Sequence, residues 1–324
     1  MVKNLKTTVL DIGARYGIHP NWKNFTGEKN FILIEPDKNE YTRLKKKYKK
    51  FNDIKVFKDG IAEKDKNMTL NIFENPAMSS SLNRKNISPL FWGERKSQIR
   101  VKKKVYIKCK SLDNFILSKK LQVDFLKIDV EGLETKILES SNKIFKTMLG
   151  IRSEVSFADI FGKNKNDPGS FVDLHKKMIE NNFTLLNLDY DGKGDYFSEL
   201  LISNSRYGVL QNTDAVWIKN LPFIFRLNDE VKLFKIVSFL ILNNAYDLAI
   251  FILNKSSSKF KKYKSLNKTN LYNFVKISIL KHLYKLKWIP GQKISNHKKI
   301  FEKIFGEKYL SMNEYNENVE INPY

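Results

Sequence analysis

Residues 9–17, Val-Leu-Asp-Ile-Gly-Ala-Arg-Tyr-Gly, join an apolar run that stops at Asp11 to glycines at positions 13 and 17. This pattern predicts a buried strand that turns through Gly13 and Gly17 into a helix. In open α/β sheets, ligands sit beyond the carboxyl ends of the strands, and glycines let the backbone approach them closely. Dinucleotide sites carry G-x-G-x-x-G, which cradles a pyrophosphate on a helix N-terminus. Here the spacing is acid-x-Gly-x-x-x-Gly, with a carboxylate at the strand tip. A carboxylate there repels phosphate and suits the cationic sulfonium and amino group of S-adenosylmethionine (SAM).

A second apolar run, Phe31-Ile-Leu-Ile34, ends in Glu35-Pro36-Asp37. In doubly wound sheets an acid that hydrogen-bonds ribose hydroxyls lies ~20 residues past the glycine turn, at the tip of the neighbouring strand. Glu35 stands at that distance. The bland alternative is a strand-end turn followed by a solvated acid. A third run, Ile54-Lys-Val-Phe57, leads to Asp59-Gly60-Ile61, where Asp59 is placed to face an adenine amino group and Ile61 to pack on the ring. Asp-Gly is equally an ordinary turn pair.

The densest stretch is Val123-Asp-Phe-Leu-Lys-Ile-Asp-Val-Glu-Gly-Leu-Glu134, a strand-like run followed by three carboxylates, Asp129, Glu131 and Glu134. Acids at a helix N-terminus complement its dipole by roughly 0.3–1 kcal/mol each, so Glu131 and Glu134 have a structural reading as well. Asp129, at the strand's carboxyl end, does not.

Together these pieces resemble the FkbM family of SAM-dependent methyltransferases. The matching segments are Asp11-Ile-Gly-Ala-Arg-Tyr-Gly17, Ile34-Glu-Pro-Asp37, Ser79-Ser-Ser-Leu82, Ser111-Leu-Asp113 and Lys127-Ile-Asp-Val-Glu-Gly-Leu-Glu134. The resemblance covers about residues 5 to 220. It implies a Rossmann-like class I methyltransferase fold, with a doubly wound, mostly parallel seven-stranded sheet, and methyl transfer to an oxygen, commonly on a sugar or a polyketide hydroxyl. Cofactor contacts are expected from Asp11, Gly13, Ala14, Arg15, Gly17, Glu35, Pro36, Asp59, Gly60 and Ile61. Arg15 departs from the family, which often has Asn there; it either clamps the methionine carboxylate or points outward. The first strand also begins within a few residues of Met1, which leaves no helix ahead of it to cap the cofactor.

Strands are expected at about 7–12, 30–35, 54–58, 123–129, 149–155, 183–189 and 213–218, with helices at about 38–49, 112–119, 132–145 and 170–181. Such alternation builds a mostly parallel sheet covered on both faces. Residues 64–107 interrupt it with two further strand-like runs around a polar loop. That loop holds Ser79 to Ser81, Phe91 and Trp92; it either selects the acceptor or packs down on the domain. For the reaction, Asp129 is the first candidate base, with Glu131 and Glu154 behind it; Asp129 and Glu154 are also the pair that would hold Mg²⁺ if a metal is used.

The chain has 324 residues, long for one domain and short for two full ones, so a methyltransferase domain at 1–220 and a mostly helical appendage at 221–324 are expected. Its net charge of +23 suggests nucleic acid, an anionic membrane surface or an acidic substrate. Lysine greatly outnumbers arginine, whereas phosphate and base recognition favours arginine's planar fork, so nucleic acid is the weaker expectation. Residues 255–308 hold fifteen lysines and two acids among aromatics at near-helical spacing. They read as amphipathic helices whose basic faces are solvated or rest on an anionic membrane surface. Phe234 to Leu253, broken by polar residues, reads as a helical hairpin bent near Asn243-Asn244, not a membrane span.

A lone Cys109 excludes an internal disulfide framework, and His19, His175, His282 and His297 offer no ligand spacing. The simplest location is cytoplasmic, with peripheral contact at the inner membrane face open. The leading function is O-methylation of a saccharide or similar hydroxylated metabolite, as in cell-surface glycan assembly. The alternatives are a nucleic-acid methyltransferase and a non-catalytic scaffold of the same fold. The nucleic-acid reading expects an Asn/Asp-Pro-Pro-aromatic tetrad after the fourth strand, and Asp129-Val-Glu-Gly132 is not one.

Overall fold

A computed structural model describes residues 6–20, 22, 25, 28–82, 97–157, 171–189, 195–197, 209–256 and 259. Phe91, Trp92 and nearly all of the lysine-rich tail lie outside the described residues. The strands are β1 (Thr7–Ile12), β2 (Lys29–Ile34), β3 (Ile54–Phe57), β4 (Gly60–Ala62), β5 (Lys66–Phe73), β6 (Val101–Ser111), β7 (Phe125–Ile128), β8 (Gly150–Ser156), β9 (Phe183–Asp189), β10 (Asp195–Phe197) and β11 (Val209–Lys219). The helices are α1 (Lys38–Lys47), α2 (Leu112–Ser118), α3 (Glu134–Glu139), α4 (Ile144–Thr147), α5 (Phe171–Glu180), α6 (Leu221–Arg226), α7 (Glu230–Leu242) and α8 (Tyr246–Lys255).

The main sheet runs β10-β11-β8-β7-β1-β2-β3, with β9 also paired to β11. β3, β2, β1, β7 and β8 are mutually parallel, and β11 runs antiparallel to β8 and β9. Order reverses at β1, the switch point where crevice ligands of such sheets lie. This is the Rossmann-like class I methyltransferase arrangement, with eight strands where seven are expected. The extra strand follows from the length of β11, eleven residues. β9 pairs its last six, from Asp214 to Lys219, and β10 pairs with Val209, Leu210 and Asn212. A second sheet, β4-β6-β5, forms from the insertion.

β1 and β7 are buried along most of their length because both faces of a parallel sheet are covered. Leu10, Ile12, Leu126 and Ile128 anchor one cluster with Ile137, Ile151 and Trp217. The helix expected directly after Gly17 is not among the described residues. Between β1 and β2 the chain instead takes tight turns, in which Trp22 N–H bonds His19 O and Phe25 N–H bonds Trp22 O. Aromatic side chains fill the space. Trp22 and Phe25 are buried, with rings 5.9 Å from Phe125, and Phe239 of α7 stacks on Phe125 at 4.4 Å and 8°. A Cβ on Gly150 would come within 2.8 Å of Phe239, so only glycine fits there. Lys235 of the same helix pairs with Asp124 at 2.8 Å, just ahead of β7.

The helix expected over 132–145 is two short ones. Asp113 causes the break by accepting the N–H groups of Asn142 and Lys143 at 3.0 and 3.1 Å. Ser111 caps α2 through Asn114 N–H, so Ser-Leu-Asp serves packing. By its contacts the chain forms two compact units, Lys3–Phe239 and Leu240–Tyr324 with Met1–Val2. Within the second, Ala245 N–H bonds Leu240 O at 2.9 Å and Asn244 takes a left-handed φ of 59°, placing the expected bend between α7 and α8. No helix among the described residues is long and apolar enough to cross a membrane.

Loss of a buried stacked aromatic costs about 3–5 kcal/mol. Phe239→Ala should therefore lower the urea midpoint strongly, whereas Tyr106→Ala, at a position 85% exposed, should shift stability by less than about 0.5 kcal/mol.

Candidate active site

The carboxyl ends of β1, β2, β7 and β8 open into a cavity of about 1030 Å³. The loop after β1 folds over the tip of β2, with the N–H groups of Gly13 and Ala14 both bonding Ile34 O, at 3.1 and 3.0 Å. Gly13 has φ +82°, and a Cβ there would lie 1.8 Å from the carbonyl oxygen of Asp129. The two strand tips approach this closely only because residue 13 has no side chain. Asp11, Gly13, Arg15, Gly17, Glu35, Pro36, Asp59, Gly60 and Ile61 line the cavity; Ala14 is buried behind it.

Glu35 is buried and accepts Asp37 N–H at 2.8 Å. Burial pushes its carboxyl up to about 7. Asp37 caps α1 through Asn39 N–H and takes the Arg15 guanidinium at 3.2 Å. Arg15 thus lies along the cavity wall, tied to Asp37, and does not point outward. Asp59 stands 3.8 Å from Lys110. Gly60 packs under Cys109, whose Sγ a Cβ at 60 would meet at 2.4 Å. Burial raises that thiol to about 11, so it is a neutral packing group.

Lys127 received no role from the sequence. It sits in β7 among Phe125, Leu126 and Ile128, paired in register with Asp11. Its Nζ lies 3.6 Å from Asp11 Oδ1 and 3.1 Å from Asp129 Oδ2. Burial opposes its charge, but the Asp129 and Asp11 carboxylates outweigh it and hold the ammonium well above the ordinary lysine range. Burial also raises Asp11, to about 6, against the pull of Lys127. The signal was available: a lysine in an otherwise wholly apolar central strand is costly unless paired.

Beyond Lys127 the wall is acidic. Asp129, Glu131, Glu154 and Asp214 all line it. Glu131 has a left-handed φ of 59°, a conformation non-glycine residues adopt mainly where the surroundings impose it. Its carbonyl accepts the buried Ser80 hydroxyl at 2.6 Å, which gives the serine run its purpose as a latch between insertion and turn. Glu154 accepts Asn212 Nδ2 at 2.8 Å. Burial, then the charges of Glu131, Asp129, Glu134 and Asp214, push its carboxyl well above the usual range. Arg152, next to it on β8, is spent on Asp189 and Asp214 at 2.9 and 3.0 Å.

Carboxylate oxygens of Asp129, Glu134 and Glu154 lie within 4.8 Å of one another. Of the three, Glu134 is the one committed to its own turn. Glu134 uses both oxygens on the N–H groups of Val130 and Gly132, at 2.7 and 2.9 Å, and Lys127 already holds Asp129 Oδ2. Met68, Leu70 and Ile107 of the insertion add apolar lining to the same cavity, beside Ser79 and Ser81.

A strand-tip acid pair, a glycine turn at the switch point and a carboxylate cluster thus share one cavity on a class I methyltransferase fold. Residues 11–190 match the methyltransferase FkbM domain, so the chain belongs to the FkbM methyltransferase family, whose methyl donor is SAM. Among solved structures it is similar to methyltransferase FkbM from Methylobacillus flagellatus KT, at 14% identity over 66% of this chain and 44% of that one, TM-score 0.38. The chain thus spans less than half the length of that protein. It is also similar to TrmK from M. capricolum in complex with S-adenosylhomocysteine, at 12% identity over 88% and 93% of the two chains, TM-score 0.32. A third is a precorrin-6y C5,15-methyltransferase from Geobacter metallireducens GS-15, at 9% identity over 66% and 82%, TM-score 0.30. No curated protein matches the chain.

The raised carboxyl of Glu35 fixes the sign of a pH effect. Between its ordinary 4.5 and about 7, the folded chain keeps a proton that the unfolded chain has lost, so this group's contribution to stability falls as pH rises through that window. Glu35→Gln keeps the acceptor for Asp37 N–H and removes the charge. Its stability relative to wild type should therefore improve by on the order of 2–3 kcal/mol between pH 5 and pH 8, measured by urea unfolding without cofactor.

Proposed function

We propose that the protein transfers a methyl group from SAM to a hydroxyl of a saccharide or a similarly hydroxylated metabolite. The observation that carries this reading is a single cavity lined by the strand-tip acids Asp11 and Glu35 and by the carboxyl groups of Asp129 and Glu154, with Lys127 between Asp11 and Asp129. SAM supplies an electrophilic methyl on cationic sulfur. Asp11 supplies negative charge on that side, and Glu35 offers its free oxygen to the ribose hydroxyls. Asp129, at the end of β7, accepts the hydroxyl proton as the oxygen approaches the methyl; Glu131 adds negative charge beside it, and Glu154, whose burial favours the protonated form, stands by as a hydrogen-bonding group of the wall. Orientation by the apolar wall of Met68, Leu70 and Ile107 accounts for much of the remaining acceleration.

Carboxyl groups on the acceptor side weigh against a nucleic-acid substrate, since Asp129, Glu131, Glu154 and Asp214 offer a phosphate backbone no cation to pair with. Neutral polyols pay no such penalty, and their hydroxyls can donate to carboxylates.

Labelled SAM incubated with the protein and glycan extracts should leave label in the glycan fraction; label confined to RNA would overturn the reading. Asp129→Asn should slow transfer by about 10²- to 10⁴-fold with SAM affinity nearly unchanged. Glu35→Ala should instead weaken SAM binding about tenfold, read by calorimetric titration.

A further inference from the structure

We propose that Lys127 is a positioning residue that balances charge between the cofactor and acceptor halves of the site, setting how strongly the pocket prefers cationic SAM over its neutral product. The inference rests on the reading of this cavity as a SAM site. Lys127 is the cation that lies within 4 Å of both Asp11 and Asp129, at 3.6 and 3.1 Å, and all three line the cavity. Its own strand neighbours are apolar and buried. An apolar residue of similar length would serve the sheet better than a buried ammonium, whose desolvation is costly. Packing therefore does not explain it.

The reaction does. When the methyl moves, the S–CH3 bond breaks with its electron pair left on sulfur, the hydroxyl oxygen forms the new O–CH3 bond, and the hydroxyl proton passes to a carboxylate. Positive charge at sulfur disappears as this happens. Carboxylates facing the sulfur stabilise the starting cation more than the transition state, and interactions stronger in the ground state do not accelerate the step. A lysine shared by Asp11 and Asp129 offsets that excess attraction. It also fixes Asp129 Oδ2, leaving the other oxygen for the acceptor.

Lys127→Met removes the charge and keeps the length. Because losing Lys127 lifts Asp11 above its wild-type value of about 6, titrations of SAM and of S-adenosylhomocysteine are run from pH 7.5 upward until the ratio stops changing, and should there show the affinity ratio shifting about tenfold toward SAM. Lys127→Arg should restore the wild-type ratio. If the methionine variant fails to fold by circular dichroism, Lys127→Gln takes its place in the same titrations. An unchanged ratio in a folded variant, whether both ligands bind as before or both weaken equally, would overturn the inference and leave Lys127 a structural ion-pair member. Absence of binding by either ligand to the wild-type protein would sink the cofactor reading instead.

Discussion

Three charged groups are held near the tips of two buried central strands of the sheet, and the site depends on the cost of keeping them there. An isolated charge in that position would lose several kcal/mol of hydration. Asp11, Lys127 and Asp129 persist because each is within 4 Å of an opposite charge. That arrangement in turn demands close strand tips, and the Asp129 carbonyl lying over Gly13 records how close they are. Backbone approach, buried ion pairing and the opening of the cavity are one constraint seen at three levels. Altering any of them moves the others.

The covering of this sheet is unusual in its origin. Over the β1 and β2 face, Trp22, Phe25, Phe31 and Phe125 meet as a cluster, closed by Phe239 from a helix late in the chain. Aromatic side chains bury large areas per residue and tolerate tilted packing, so a few of them cover that face. Gly150 leaves room for Phe239, and Lys235 on Asp124 fixes the height of that helix.

Much of this was legible in the chain. Strand positions followed from short apolar runs ended by acids or glycines, and the strands from β1 to β9 that build the main sheet fall within two residues of the expected spans. Glu35 and Asp129 were nameable because each follows a strand, and Asp11 because it stands one residue from the end of one; Glu154, expected to end its strand, lies two residues inside β8, which pairing with β11 carries on to Ser156. Other features depended on tertiary partners. The burial of Trp22 and Phe25 against Phe125 could not be read from the residues after Gly17, because it depends on a strand a hundred residues away. The broken helix at 140–143 depended on Asp113, some thirty residues upstream. Glu134 looked like one of three equivalent acids, yet its two oxygens close its own turn. Lys127 was readable in principle as a cation in an apolar strand, but its role appears only when the register puts it beside Asp11.

The hydroxyl of Ser80 reaches the carbonyl of Glu131 across a sequence separation of 51 residues. Through that link, one continuous stretch from Gly60 to Ser111 brings its own wall and its own latch to the turn that follows β7. Such a cassette can diverge in shape and polarity while the donor end stays as it is. Relatives with the same strand tips and a different cassette would then keep one methyl donor and answer to different acceptors.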